Sequence, residues 1–131
     1  MQRAAPLHLV SAGYLPEVHV AAAIVCALGV LLSVTAVRVF RKAGTSPIPM
    51  KPTTALTFEG PYRFTRNPMY LSLALVTLAI ALWLDVAWIA VALVAVVLLI
   101  DRSVIAREER YLERKFGEAY LAYKARVRRW L

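Results

Sequence analysis

Glycine is scarce in this chain of 131 residues: there are five, and none falls in a GxGxxG or GxxxxGK[ST] arrangement. Those arrangements supply the backbone cradles that nucleotide-binding folds wrap around phosphates, so neither a Rossmann nor a P-loop site is expected. Cysteine is scarcer still. Cys26 is the single one, so no internal disulfide can form. A thiol set in an apolar run, with no base nearby, is expected to be inert. The two histidines, His8 and His19, both lie near the N-terminus. A zinc site would need more ligands at ligand spacing, and no metal site is expected. Acidic residues number 8 against 16 lysines and arginines, giving a net charge of +8. No aromatic-interleaved basic groove or nucleic-acid motif accompanies that charge, so nucleic acid is not an expected partner.

Apolar residues are abundant. They make up 60% of the chain, and its mean hydropathy is +0.61. A soluble domain sits nearer ~45–50% apolar, so the composition points to a membrane protein of one domain covering residues 1–131. Residues 18–40 form a first apolar run of the length a hydrocarbon core requires. The run is long for a signal peptide and follows Pro16-Glu17, so a retained helix is expected. Residues 41–66 form a polar connector. Pro47, Pro49 and Pro52 bias it to extended backbone, and residues 53–58 are read as a short strand ending at the Gly60-Pro61 turn. Asn67-Pro68 then provides an N-cap and a favoured first helical residue, opening a second span over 68–84. Asp85, bracketed by Trp83 and Trp88 as in an interfacial aromatic belt, separates it from a third span over 86–100. The two form a tight hairpin. In residues 101–131, Phe116, Tyr120, Tyr123, Val127 and Trp130 recur at helical spacing among basic residues, which predicts an amphipathic helix on the inner leaflet. The expected fold is thus an all-α membrane protein with about three transmembrane helices, a C-terminal amphipathic helix and a connector holding short extended segments.

Charge sets the expected orientation. Six basic residues lie between Arg38 and Arg66, and nine lie between Arg102 and Arg129. In a three-span chain both groups fall on one side, which the positive-inside rule places in the cytoplasm, with the N-terminus outside. Clustering beside apolar runs makes membrane lipids the expected partner surface.

Two constellations on that side could carry chemistry. On a helix, Glu108 has Val104, Ile105, Tyr111 and Leu112 as its neighbours, and Glu109 has Ile105, Ala106, Leu112 and Glu113. Neither has a basic partner on its own face, so the pair either lies open to water or takes a cation from elsewhere: Arg63, Arg66 or a ligand. By contrast, Glu113 follows Arg110 by three and Glu118 follows Arg114 by four, the spacing of ordinary surface pairs. The second constellation is Arg63, Arg66, Asn67 and Tyr70. A capped helix start offers free N–H groups and a positive dipole end, and the arginines add planar donors suited to carboxylate or phosphate; the plainer reading is that the arginines are positive-inside anchors and Asn67-Pro68 only a helix start. A cation-seeking pair beside an anion-seeking helix start suits a zwitterionic ligand, such as an amino-acid moiety.

Several segments together resemble the isoprenylcysteine carboxyl methyltransferase and phospholipid methyltransferase superfamily. They are Ala43-Gly44-Thr45, the run from Gly60 to Tyr70, Glu108-Glu109, and Phe116-Gly117-Glu118-Ala119-Tyr120 with Tyr123 and Arg126-Val127. The resemblance covers roughly residues 38–128. It implies an S-adenosylmethionine-dependent methyltransferase. By that resemblance Glu108, Glu109 and Arg63 are the expected catalytic residues. Tyr62, Arg66, Asn67, Pro68 and Tyr70, with the two glutamates, are the expected cofactor-binding set. The family's Arg-His-Pro-x-Tyr motif reads Arg66-Asn67-Pro68-Met69-Tyr70 here. Asn keeps a hydrogen-bonding side chain but cannot titrate, so residue 67 is not assigned as a base. The chain is also small beside eukaryotic carboxyl methyltransferases, so parts that shape a lipid tunnel are absent or supplied by a second copy in a homo-oligomer. The implied acceptor is lipidic or prenylated, methylated on a carboxylate or on a phospholipid amine. A non-catalytic assembly or transport subunit is the reading from another class. The expected location is a bacterial inner (plasma) membrane.

Overall fold

The structure, a computed structural model, describes residues 8–9, 14–44 and 56–131. All its regular elements there are helical. Helix α1 runs over Leu15–Lys42, with a proline in its first turn beside Glu17 and with Arg41 and Lys42 in its last. Those charges complement the helix dipole at both ends. A 3-10 turn, Gly60–Arg63, leads into α2 over Pro68–Leu84. Asp85 closes α2 in the left-handed region, with φ 54, a conformation a short polar side chain tolerates better than an apolar one. Helix α3 follows over Ala87–Leu99. A π-helical segment, Ile100–Ile105, joins it without a break to α4, Ala106–Phe116. Gly117, at φ 57 and ψ −128, turns the chain into α5, Glu118–Arg126.

The all-α fold and its apolar helices agree with the sequence expectation. Leu15–Lys42 and the continuous helix Ala87–Phe116 are long and apolar enough to cross a membrane, while Pro68–Leu84 is apolar but shorter. No strand occurs among the described residues. Of the strand expected at 53–58, residues 53–55 lie outside the described residues and 56–58 are irregular.

Helices α1 and α2 form the main packing pair. Ala22, Gly29 and Ala36 are the buried residues of α1, and Ser72, Ala79 and Ala81 are among those of α2. Small side chains at these points let the backbones approach closely, which is how helices associate where no water drives them together. A Cβ built on Gly29 would lie 2.9 Å from Val76 Cγ2 and 3.1 Å from the Ser72 carbonyl oxygen. Helix α3 buries none of its residues, and Val91, Val94 and Leu98 are exposed along it.

The packed core sits at the end carrying the 3-10 turn. Ala36, Tyr62, Tyr120 and Tyr123 are buried there, with Val39, Phe40, Leu112, Phe116 and Val127 around them. Gly117 folds α5 back, and two residues of the C-terminal aromatic stripe, Tyr120 and Tyr123, turn inward toward α1 and the 3-10 turn. At the opposite end, Asp85 accepts a hydrogen bond from the Leu9 N–H at 2.7 Å and lies 2.7 Å from His8 Nδ1.

Candidate functional site

The segment between the 3-10 turn and α2 is held from two directions. Tyr123, on α5, donates its hydroxyl to the Tyr62 carbonyl at 2.7 Å and to that of Thr65 at 3.3 Å. After α5 the chain extends, with Val127 at φ −120 and ψ 130, and runs beside residues 65–67. The Arg66 N–H donates to the Arg128 carbonyl at 3.0 Å. The Arg129 carbonyl accepts from Thr65 Oγ1 at 3.2 Å and from Asn67 Nδ2 at 3.0 Å. Asn67 therefore stands at the N-cap position of α2 without its side chain capping the helix. Its amide is drawn off to the C-terminal segment, where it shares the Arg129 carbonyl with Thr65.

This stitching carries Arg129 to the charged residues. Arg129 grips Glu109 with two nitrogens: Nε donates to Oε1 at 3.1 Å and Nη2 to Oε2 at 2.6 Å. Its remaining nitrogen, Nη1, donates to both oxygens of Asp101 at 3.2 and 3.1 Å. Trp130 Nε1 donates to Asp101 at 2.8 Å. From the other side, Arg66 Nη1 lies 2.7 Å from Glu109 Oε1. The Glu109 and Asp101 carboxylates push the Arg129 guanidinium further above its already high range, mainly through the hydrogen bond to Glu109.

Glu108 is in a different setting. Adjacent residues on a helix point about 100° apart, so Glu108 turns toward tyrosines while Glu109 turns toward arginines. Tyr70 donates its hydroxyl to Glu108 Oε1 at 2.9 Å. Glu108 is half-buried. Among the described residues no basic side chain forms an ion pair with it. Tyr62 is 5% exposed, and its hydroxyl has no hydrogen-bond partner among the described residues. Burial, and the charges of Tyr123 and Glu108 after it, push that hydroxyl's pKa up and hold it protonated. Arg66 is nine-tenths buried, with a side-chain exposure of 10%, yet among the described residues its Nε has no acceptor and its Nη1 meets Glu109 outside hydrogen-bond geometry. Buried donors without partners are rare in folded proteins and mark places where a ligand or water completes the set.

The structure thus gathers Tyr62, Arg66, Asn67, Pro68, Tyr70, Glu108 and Glu109 at one end of the helices. Pro68 is buried at the first position of α2. Arg63 is placed differently: it is exposed, because the 3-10 turn that points Tyr62 inward points its neighbour out. The cation for Glu109 comes from Arg66 and from Arg129, which sequence reasoning counted only as one basic residue among several. Asp101 and Trp130 were also missed as partners. Asp101 did carry a signal, since it is a carboxylate placed directly at the end of the third apolar run. The expected Arg110–Glu113 pair is replaced by a tertiary one: Lys124 Nζ lies 2.5 Å from Glu113, tying α5 to α4.

Chemically, the site offers one unpaired carboxylate, Glu108, beside two unpartnered buried donors, the Tyr62 hydroxyl and Arg66 Nε. A ligand with a cationic group and acceptor oxygens or nitrogens matches that set. S-adenosylmethionine, with its ammonium, sulfonium and carboxylate, is such a ligand, so the residues present fit it. A phospholipid methyltransferase family profile matches residues 18–119. An uncharacterized protein of Haemophilus influenzae is 54% identical over 63 residues, which is 48% of this chain and 100% of that protein.

Proposed function

The chain belongs to the phospholipid methyltransferase family, and from that premise we propose that it transfers a methyl group from S-adenosylmethionine to a lipidic or isoprenoid-linked acceptor. The proposed setting is a bacterial inner membrane, with the polar end in the cytoplasm and the N-terminus outside. One observation carries the reading: Glu108 is a half-buried carboxylate with no ion-pair partner among the described residues, next to donors that lack acceptors.

In this reading Glu108 faces the cationic part of the cofactor, while the Tyr62 hydroxyl and Arg66 Nε donate to its acceptor atoms. S-adenosylmethionine supplies an electrophilic methyl group on a sulfonium. The chain's own contribution is to hold the two reacting groups in line and keep water out. The buried tyrosines Tyr62, Tyr120 and Tyr123 serve the second task. A carboxylate acceptor, as in isoprenylcysteine O-methylation, needs no general base. A phospholipid amine must lose a proton. Glu109 is unsuited to take it, since both its oxygens face arginines. Glu108 Oε2, the oxygen not held by Tyr70, is the group for that task. The family's description favours keeping this N-methylation as the second reading.

The test combines binding and product identification. Calorimetry on protein shown to be folded should give saturable binding of S-adenosylmethionine or its demethylated product. Labelled methyl transfer into total membrane lipid and protein should then yield a labelled lipidic product whose linkage separates O- from N-methylation. Absence of binding at millimolar ligand would sink the enzyme reading in favour of a non-catalytic membrane subunit.

A further inference from the structure

Glu109 and Asp101 carry two negative charges, and Arg66 and Arg129 carry two positive ones. The four form a closed set: Arg66 and Arg129 both meet Glu109, and Arg129 alone meets Asp101. Glu108, one residue away, is left outside it. We infer that Arg129 is a positioning residue: it locks Glu109 as an internal counter-ion, so that Glu108 is the one carboxylate of the pair that meets the ligand. The identity of that ligand rests on the methyltransferase reading above.

Three features support this assignment. First, every nitrogen of the Arg129 guanidinium is engaged by a carboxylate. Nε and Nη2 hold the two oxygens of Glu109, and Nη1 holds Asp101. Both forks are committed to carboxylates and a single Nη2 N–H is left over, so Arg129 acts through Glu109. A lysine has no planar fork and cannot make both grips at once. Second, the backbone of Arg129 is pinned to the segment that carries the ligand-facing donors. Its carbonyl accepts from Thr65 and Asn67, which flank Arg66. One residue thereby ties the 65–67 segment, the π-helical segment and the first turn of α4 together. Third, Glu109 is the more deeply set glutamate, with a side chain 6% exposed. A carboxylate at that depth requires compensation, and Arg66 and Arg129 both supply it. Fixing Glu109 fixes the rotation of α4, and with it the direction in which Glu108 points.

A double-mutant cycle tests the inference, read in both S-adenosylmethionine affinity and melting temperature in detergent. Arg129→Gln is expected to weaken binding about tenfold, the worth of one displaced charge-assisted contact. Because it acts through Glu109, the Arg129→Gln/Glu109→Gln double variant should bind no more weakly than the worse single variant. Combined with Glu108→Gln, its effect should also fall short of the product, because the contact it positions is already gone. Arg129→Lys should recover part of the melting temperature without recovering the affinity; it also carries the comparison if Arg129→Gln does not fold. Losses that multiply between Arg129→Gln and Glu109→Gln would overturn the inference, since Arg129 would then touch the ligand itself. Unchanged affinity with a lowered melting temperature would overturn it too, leaving a purely structural tie. If wild-type protein binds no S-adenosylmethionine, the methyltransferase reading fails separately. Non-additivity of Arg129→Gln and Glu109→Gln in melting temperature then decides whether the lock exists.

Discussion

Replacing Glu108 and Glu109 by glutamine, one at a time, should damage the protein in two different ways. Glu109→Gln removes the charge that Arg66 and Arg129 share. Arg66 is 10% exposed, so its guanidinium would stay buried without a counter-ion. Breaking one side of a buried pair costs about 3–5 kcal/mol. Arg129 is 30% exposed and keeps Asp101, which argues for the lower end, about 3 kcal/mol. For a chain of this size that is a fall of roughly 10 °C in melting temperature. Glu108→Gln breaks no ion pair, and the glutamine carbonyl can still accept from the Tyr70 hydroxyl. Its melting temperature should stay within about 2 °C of wild type, as for changes that leave packing and pairing intact. The loss should appear in S-adenosylmethionine affinity, as about 1.5–3 kcal/mol, or ten- to a hundredfold. Thermal unfolding and calorimetry on the same detergent-solubilised samples read both quantities. Equal falls in melting temperature for the two variants, or full ligand affinity in Glu108→Gln, would refute the division of roles.

Gly29→Leu should separate α1 from α2, because even a Cβ there meets Val76 and the Ser72 carbonyl; a cost of about 1–3 kcal/mol should appear as a lowered melting temperature, while Leu98→Ala on exposed α3 should cost far less. For topology, Asp85→Cys, at the tip of the α2–α3 hairpin, and Glu118→Cys in a Cys26→Ala background should label with an impermeant maleimide from opposite sides of the membrane. Labelling of both from one side would remove the transmembrane hairpin and the proposed orientation with it.

The helical frame was legible because its signals are local. Asn67-Pro68 opened α2, Asp85 closed it, and unbroken apolar runs did the rest. That 60–70 and 108–109 lie at the same end follows from the hairpin alone. The pairing within that end was not legible. Arg129 reaches Glu109 across 20 residues and Asp101 across 28, and nothing nearby in the chain separates it from Arg126 or Arg128. The π-helical segment is also silent in the sequence: Ile100–Ile105 reads as ordinary helix, yet a wider turn there changes which faces α3 and α4 present. The side chain of Asn67 was misjudged for a related reason. Its capping role was inferred from its own helix, while a distant carbonyl competed for its amide.

The apolar helices differ in length, and that difference acts on the surrounding lipid. At 28 residues, α1 is about 42 Å long, whereas α2, at 17 residues, reaches only about 26 Å. A hydrocarbon core is about 30 Å thick. In the proposed membrane setting the lipid beside α2 would be compressed or the helix ends would sink below the headgroups, at a cost of a fraction of a kcal/mol per ångström. Either response draws a dimple in the membrane surface beside α2, and the N-terminal end of α2 is where Tyr62, Tyr70 and Glu108 converge. A headgroup resting in that dimple reaches the depth of the polar cluster while its tails stay among their neighbours. On the proposed function, bilayer thickness would then act as a control on access: thin membranes flatten the dimple, and thick ones deepen the mismatch that forms it.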